Sequence, residues 1–260
     1  MNIVVCIKQV PDTTEIKIDR ETNTLIREGV VSIINPFDLY AIEEALRLKE
    51  IHGGKVTALS MGPPQVETAL RESIAIGIDE IILLTDRKFA GADTWATSLT
   101  LAEAIKKIGN FDILLFGQQA IDGDTAQVGP GVATHLGIPQ TCFVKKIESL
   151  ENGRIVVQRL LEDGYDRIDM SIPCALTVVK EINTPRLPSL RGKRNAKKAE
   201  LITWNAEDLN LDENIIGLNG SPTQVVKIFS PDLRKDGEKH ELPADELVEI
   251  LYNKLKELGK

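Results

Sequence analysis

Little in this sequence is aromatic: Phe, Trp and Tyr together make up 4% of 260 residues, and there are only three histidines and three cysteines. Cys6, Cys142 and Cys174 are odd in number, widely spaced and set in Val/Ile/Leu-rich runs, a pattern of buried thiols rather than of a disulfide framework or a metal site. The histidines are too few and scattered for a metal cluster, and neither His52 nor His135 has the neighbouring carboxylate that a catalytic base needs. Long apolar runs are also missing. The longest, such as Ile3–Ile7, fall far short of the roughly 20 residues that span a bilayer. No charged segment followed by a small-residue cleavage site opens the chain. These absences predict a soluble, cytoplasmic protein with no membrane contact.

Charge of one sign is short as well. Lys and Arg number 31 against 39 Asp and Glu, a formal net charge of −8, which argues against a surface built throughout to collect nucleic-acid phosphates. Three cofactor and nucleophile signatures do not occur: Gly-x-Gly-x-x-Gly after a strand, Gly-x-x-x-x-Gly-Lys-Ser/Thr, and Gly-x-Ser-x-Gly. The nearest approach, Gly129-Pro130-Gly131 with Gly137, has the wrong spacing. Ordinary dehydrogenase, P-loop and hydrolase chemistry therefore lose weight.

What is present is an alternation of strands and helices. With 42% apolar and 27% charged residues the chain is globular. A β-branched strand spans Asn2–Val10 and ends at Pro11-Asp12. Asn35-Pro36-Phe37-Asp38 reads as a helix start, with Asn35 as cap, Pro36 at the first position and Asp38 as a capping-box acid. The apolar spacing of Leu39, Ile42, Ala45, Leu46 and Leu48 continues that helix to Gly53-Gly54. There follow a strand Lys55–Met61, a turn Gly62-Pro63-Pro64, a helix to Gly77, a strand Asp79–Thr85, a helix from Asp93 to Gly109 and a strand Asp112–Phe116. The fold class is thus α/β, a doubly wound, mainly parallel sheet covered by helices on both faces.

Beyond Gly137 the texture becomes short strands, Thr141–Ile147, Ile155–Leu161 and Arg167–Ile172, with Asn152-Gly153 and Asp163-Gly164 as hairpin turns. They predict an antiparallel extension, closed by a strand at Ala175–Val179. The expected division is a domain 1–182 and a segment 183–260. Residues 183–199 carry Arg186, Arg191, Lys193, Arg194, Lys197 and Lys198 with no acid, and read as an exposed loop. It is poor in stacking aromatics and so offers no case for nucleic-acid binding. The tail reads as extended to Pro243, then as a helix whose stripe Leu247, Ile250, Leu251, Leu255 and Leu258 needs something to lie against.

In open parallel sheets ligands sit beyond the carboxyl ends of strands. Three such places stand out: Cys6–Val10, Met61-Gly62-Pro63, and the run Gly117-Gln118-Gln119-Ala120-Ile121-Asp122-Gly123-Asp124-Thr125-Ala126-Gln127-Val128-Gly129-Pro130. Pro130 fits a helix's first turn, so a helix starts near or just after Thr125 and leaves amides free for a phosphate. The competing local reading is an ordinary helix capped by Asp124. Two acids so near a phosphate count against the nucleotide reading.

Four motifs, Val5-Cys6-Ile7-Lys8-Gln9-Val10-Pro11-Asp12, Asn35-Pro36-Phe37-Asp38 with Ala41-Ile42-Glu43-Glu44-Ala45, Gly117–Gln127, and Leu190 in the basic segment, together resemble the β subunit of electron transfer flavoproteins. The resemblance covers essentially the whole chain. It implies an adenine nucleotide α-hydrolase-like, Rossmann-like fold with a C-terminal arm, residues 183–260 wrapping an α subunit that carries FAD, and an adenine nucleotide held by the sheet domain. On that resemblance Cys6 lies under the adenine, Asn35, Pro36, Phe37 and Asp38 contact base or ribose, and Met61 lines the pocket. Gly117, Gln119, Ala120, Asp122, Gly123, Asp124, Thr125, Ala126, Gln127 and Val128 meet ribose and phosphates. AMP-binding members carry Asp-Asp-Asp followed by Asn-Gln-Thr-Gly-Gln, whereas here Asp122-Gly123-Asp124-Thr125-Ala126-Gln127-Val128 is smaller and less polar.

The departure resembles members that hold a second FAD in the β subunit and split the two electrons of NADH between ferredoxin or flavodoxin and the α flavin, which serves an acyl-CoA dehydrogenase. Leu190, with Arg191, Lys193 and Arg194, is then the expected dehydrogenase docking point. At Leu160 carrier-type relatives have an acid, a second departure. The alternatives are a plain electron carrier with AMP in this subunit, and a stand-alone ATP-binding protein, whose Gly-x-x-Gly or Ser-Gly-Gly-x-Asp-Ser phosphate loop follows none of the strands read above.

Overall fold

The computed structural model describes residues 1–12, 32–227 and 237–259. Its main sheet is built from β1 (Asn2–Cys6), β4 (Lys55–Met61), β5 (Glu80–Leu84), β6 (Ile113–Gly117), β7 (Gln140–Glu151), β8 (Arg154–Leu160), β9 (Tyr165–Ser171), β10 (Cys174–Val178) and β11 (Leu201–Trp204). Their spatial order is β11-β5-β4-β1-β6-β10-β7-β8-β9. Pairing is parallel from β11 to β7, and β8 and β9 extend the sheet antiparallel. The doubly wound α/β class with an antiparallel extension is what the alternation predicts.

Covering the sheet are α1 (Pro36–His52), α2 (Glu67–Ile76), α3 (Thr94–Ile108) and α4 (Val128–Leu136). Side chains alternate along β1, and the core divides accordingly. Ile3 and Val5 join Ile42 and Leu46 of α1 and Leu70 and Ile74 of α2, while Val4 and Cys6 join Leu101 and Ile105 of α3 and Val132 of α4. A central strand buried on both faces needs an unbroken apolar run, which is why Ile3–Ile7 has no polar member. Gly53 and Gly77 end α1 and α2, and Asp93 caps α3 through the amides of Trp95 and Ala96.

Three stretches differ from the sequence expectation. The strand expected over Asn2–Val10 breaks at Lys8, and residues Gln9–Pro11 (β2) pair antiparallel with Ser32–Ile34 (β3) instead. The cause is the backbone of Lys8, whose N–H goes to the Asp38 carboxylate at 2.7 Å and whose carbonyl accepts from Asn35 N at 2.8 Å, so neither can serve a neighbouring strand.

Residues 183–199 are not simply an exposed loop. Leu190–Ala196 forms α5, capped by the Ser189 hydroxyl accepting from Gly192 N, with Gly192 and Ala196 buried. Its helicity is hard to read because it has only seven residues, and the two that are buried, Gly192 and Ala196, carry almost no side chain to mark an inward face. Arg186 is no free cation either: its guanidinium reaches the buried Glu43 at 2.8 Å and Glu50 at 2.5 Å.

The tail expected to be extended first adds β11 to the sheet edge beside β5, so residues on both sides of 182/183 share one sheet. Ala206, Leu209 and Ile216 then bury themselves against the α3 side. Residues 228–236 of that tail lie outside the described residues. The C-terminal helix α6 (Ala244–Leu258) is where the stripe predicts it, and none of its residues is buried. Among the described residues no helix is long and apolar enough to cross a membrane.

Gly192 sets how closely α5 can approach α2, since a Cβ there would lie 2.1 Å from the Ala75 carbonyl oxygen. Gly192→Ala must push the helices apart, at a cost of about 1–3 kcal/mol. A lowered thermal midpoint, with far-UV circular dichroism unchanged at low temperature, is expected; an unchanged midpoint would refute the close approach.

Candidate functional site

The chain runs from β1 outward to β4 and β5, then returns to start the other half at β6, so the strand order reverses between β1 and β6. A crevice opens at the carboxyl end of such a reversal, where successive loops turn to opposite faces. The three places singled out in the sequence end the adjacent strands β4, β1 and β6, and so lie along one edge.

Its floor is a buried polar cluster at the start of α1. Asn35 is only 1% exposed, and all the bonding capacity of its side chain points inward. Nδ2 donates to Asp38 Oδ1 at 3.0 Å and to the Gln119 carbonyl at 2.8 Å, while Oδ1 accepts from Ile121 N at 3.1 Å. Asn35 therefore does not cap its own helix with its side chain, and Asp38 does not return to the Asn35 amide as a capping-box acid would. Both are spent on tying α1 to the strand ends: Asn35 to the 119–121 turn, Asp38 to Lys8. Gly117 closes the cluster, since a Cβ there would sit 2.3 Å from Asp38 Oδ1 and 2.6 Å from Phe37 C.

Pro36 and Phe37 are half-buried beside this cluster, and Met61, also half-buried, packs with the α3-side core at the end of β4. Cys6 stands in the ladder between Leu59 and Phe116, where burial and then the Asp38 charge push its thiol up, so it stays protonated and unreactive. Cys174 is likewise buried, its thiol pushed up to about 12 by burial, but Cys142 is only half-buried, against the expectation for all three.

The run after β6 forms the wall of the crevice. Gln119 and Ala120 are half-buried, and Asp122 to Thr125 are exposed. The helix α4 starts at Val128, just after Thr125, with Pro130 in its first turn. Gln127 holds the cap position, and no side chain supplies the capping bond. Asp124 is not the cap: it lies three residues earlier in the left-handed region, φ 54°, with its carboxylate on Gln119 Nε2. Ala126 is left-handed too, φ 53°. Gln127 Oε1 accepts from Thr94 Oγ1 at 2.9 Å, bracing the helix start against α3. Consequently the amides of Thr125 to Gly129 have no acceptor among the described residues.

The acids that count against a phosphate here are both engaged. Asp122 takes the Lys8 ammonium on both oxygens, 2.7 Å each, and Asp124 takes the Gln119 amide. Lys8 carries no site signal in the sequence, where it falls within the strand expected over Asn2–Val10; only the β1–β6 adjacency brings it to Asp122. Leu190, 86% exposed, with Arg191, Lys193 and Arg194, lies apart from this edge in the chain, on the exposed side of α5.

A switch point with a row of free amides and a helix start, in an α/β protein, is an arrangement chemically suited to an anion at the strand ends. A family model described as "Electron transfer flavoprotein domain" matches residues 22–209. The electron transfer flavoprotein subunit beta of Thermoanaerobacterium thermosaccharolyticum is 54% identical over 98% of both chains, and that of Clostridium acetobutylicum 50% identical over 99% of this chain and 98% of its own. Acetobacterium woodii's caffeyl-CoA reductase-Etf complex subunit CarD is 49% identical over 99% of this chain and 98% of its own. The chain belongs to the electron transfer flavoprotein family, as a β subunit, and a β subunit has an α-subunit partner.

Asp38 makes the floor of the site sensitive to pH. Burial raises its carboxyl to about 7, against the opposing pull of bonds from Asn35, Lys8 N–H and Gly117 N–H. Unfolded, it ionises near the ordinary value of 3.8. Its favourable contribution is therefore complete below about 3.8 and lost as pH rises through about 7. Asp38→Asn stays neutral throughout, so wild type minus variant in denaturant-derived stability should fall by on the order of 1–4 kcal/mol between those limits. A difference that is flat with pH would show that Asp38 is ionised in the fold at all these values.

Proposed function

We propose that this chain holds FAD at the β1–β6 edge and, with its α subunit in the cytoplasm, takes electrons from NADH. When bound, that flavin would accept hydride from NADH and pass the two electrons singly, one to ferredoxin or flavodoxin and one to the α-subunit FAD that serves an acyl-CoA dehydrogenase. The residues that would hold it are Cys6 beneath the adenine, Pro36 and Phe37 at its rim, Met61, and the stretch Gly117–Val128 against ribose and pyrophosphate. Asn35 and Asp38 would act from below, by fixing the turn that the ligand meets.

The observation that carries this reading is Gly123. Its φ is not in the left-handed range, and a Cβ there would meet nothing within 4 Å. Nothing in the chain itself requires glycine at this exposed position, whereas close approach of a pyrophosphate to the backbone does. The free amides of Thr125 to Gly129 supply the complementary donors. The relative from Acetobacterium woodii, whose name places it in a complex with caffeyl-CoA reductase, supports an acyl-CoA-directed partner.

Flavin content tests the reading. The purified heterodimer should contain two FAD. Gly123→Val should lose one of them together with NADH oxidation, while the α flavin still exchanges electrons with the dehydrogenase. One FAD plus AMP in the unmodified heterodimer would contradict it and leave a plain carrier. Leu190 is proposed as the dehydrogenase anchor, because an apolar side chain 86% exposed among cations suits a central contact with a polar rim. Leu190→Ala should weaken that complex by about 1–3 kcal/mol without changing flavin content; unaltered electron transfer to the dehydrogenase would remove the role.

A further inference from the structure

The wall of the crevice poses an electrostatic problem. Two carboxylates, Asp122 and Asp124, stand within seven residues of the free amides that run to Gly129, and an uncompensated carboxylate near an anion repels it. The two are treated differently. Asp124 receives a neutral amide from Gln119 on one oxygen, which leaves its charge. Asp122 receives a full positive charge, the Lys8 ammonium on both oxygens at 2.7 Å.

Lys8 is also unusually well placed for a lysine. Its N–H is held by the buried Asp38 and its carbonyl by Asn35 N, so the root of the side chain is fixed to the floor of the site. The pair itself is open to water, with the Lys8 side chain 49% exposed and that of Asp122 33%. For stability a pair this open is worth little. Its position, bridging the end of β1 to the loop that follows β6, is the part that stability leaves unexplained.

We propose that Lys8 is a positioning residue for charge: it makes the edge acceptable to a phosphorylated ligand by cancelling Asp122, and does so without being the phosphate's own contact. This rests on the nucleotide-binding reading above and adds to it a residue and a division of labour. The amides of the loop and of α4 receive the phosphate, and Lys8 removes the carboxylate charge that would otherwise repel it. The effect must therefore grow with the number of phosphates, vanish for an uncharged nucleoside, and disappear when Asp122 is itself made neutral.

The experiment is a double-mutant cycle on the nucleotide-free full chain, titrated with adenosine, AMP and ADP at low ionic strength. Lys8→Gln should leave adenosine binding unchanged and weaken AMP and ADP, ADP the more, by about threefold to tenfold, an effect that shrinks as salt is raised. Asp122→Asn in the Lys8→Gln background should restore AMP and ADP binding to near the wild-type level. An equal loss for adenosine, no loss for ADP, or a loss that Asp122→Asn fails to repair would each overturn the proposal, the last by making Lys8 a direct phosphate contact. Failure of the unmodified chain to bind adenosine, AMP or ADP would instead remove the nucleotide reading, and this inference with it.

Discussion

The structure turns on a single constraint, the closeness of α1 to the ends of β1 and β6. Gly117 has room for no side chain because Asp38 and the Phe37 backbone fill the space a Cβ would take. At that distance the polar ends of a helix and two strands meet in a buried place, and each group must find its partner there. Asn35 and Asp38 provide those partners. One ties the helix to the 119–121 turn, and the other ties it to Lys8. Substituting the nearest alternatives would leave amides or carbonyls unpaired at the floor of the crevice, which costs about 1–3 kcal/mol for each group.

From that junction the rest of the site follows in order. Spending the Lys8 backbone on Asp38 and Asn35 ends β1 early and projects the lysine side chain across to Asp122. Pinning Gln119 and Ile121 holds the start of the loop, so that its left-handed residues Asp124 and Ala126 turn the chain into α4 without a side-chain cap. The amides thus left free are the feature that a nucleotide phosphate would use. Burial of the same carboxylate that organises the floor raises its own ionisation to about 7, against the pull of the donors that meet it.

Much of the fold was legible in the sequence because its signals were local and redundant. The strand Lys55–Met61 and the helix stops at Gly53 and Gly77 fall where apolar spacing and glycine place them. What was illegible depended on distant partners. Asn35-Pro36-x-Asp38 has the pattern of a self-capping helix start, and nothing within four residues reveals that both side chains are claimed by residues 8, 119 and 121. The seven-residue α5 has too few inward positions to show a period, and its packing rests on a glycine that reads equally well as a loop. At the candidate site, the motifs fall at the ends of β1, β4 and β6, but Lys8 became visible only once β1 and β6 were neighbours.

The central claim is that the amides of Thr125 to Gly129 receive a cofactor phosphate at the β1–β6 edge. Hydrogen–deuterium exchange of the heterodimer, resolved to these amides and compared before and after removal of the β-subunit nucleotide, tests it most directly. The account predicts that they are protected in the loaded complex and exchange freely once the nucleotide is gone, while amides in β4 and β5 do not change. Equal exchange of residues 125–129 in the two states would contradict it.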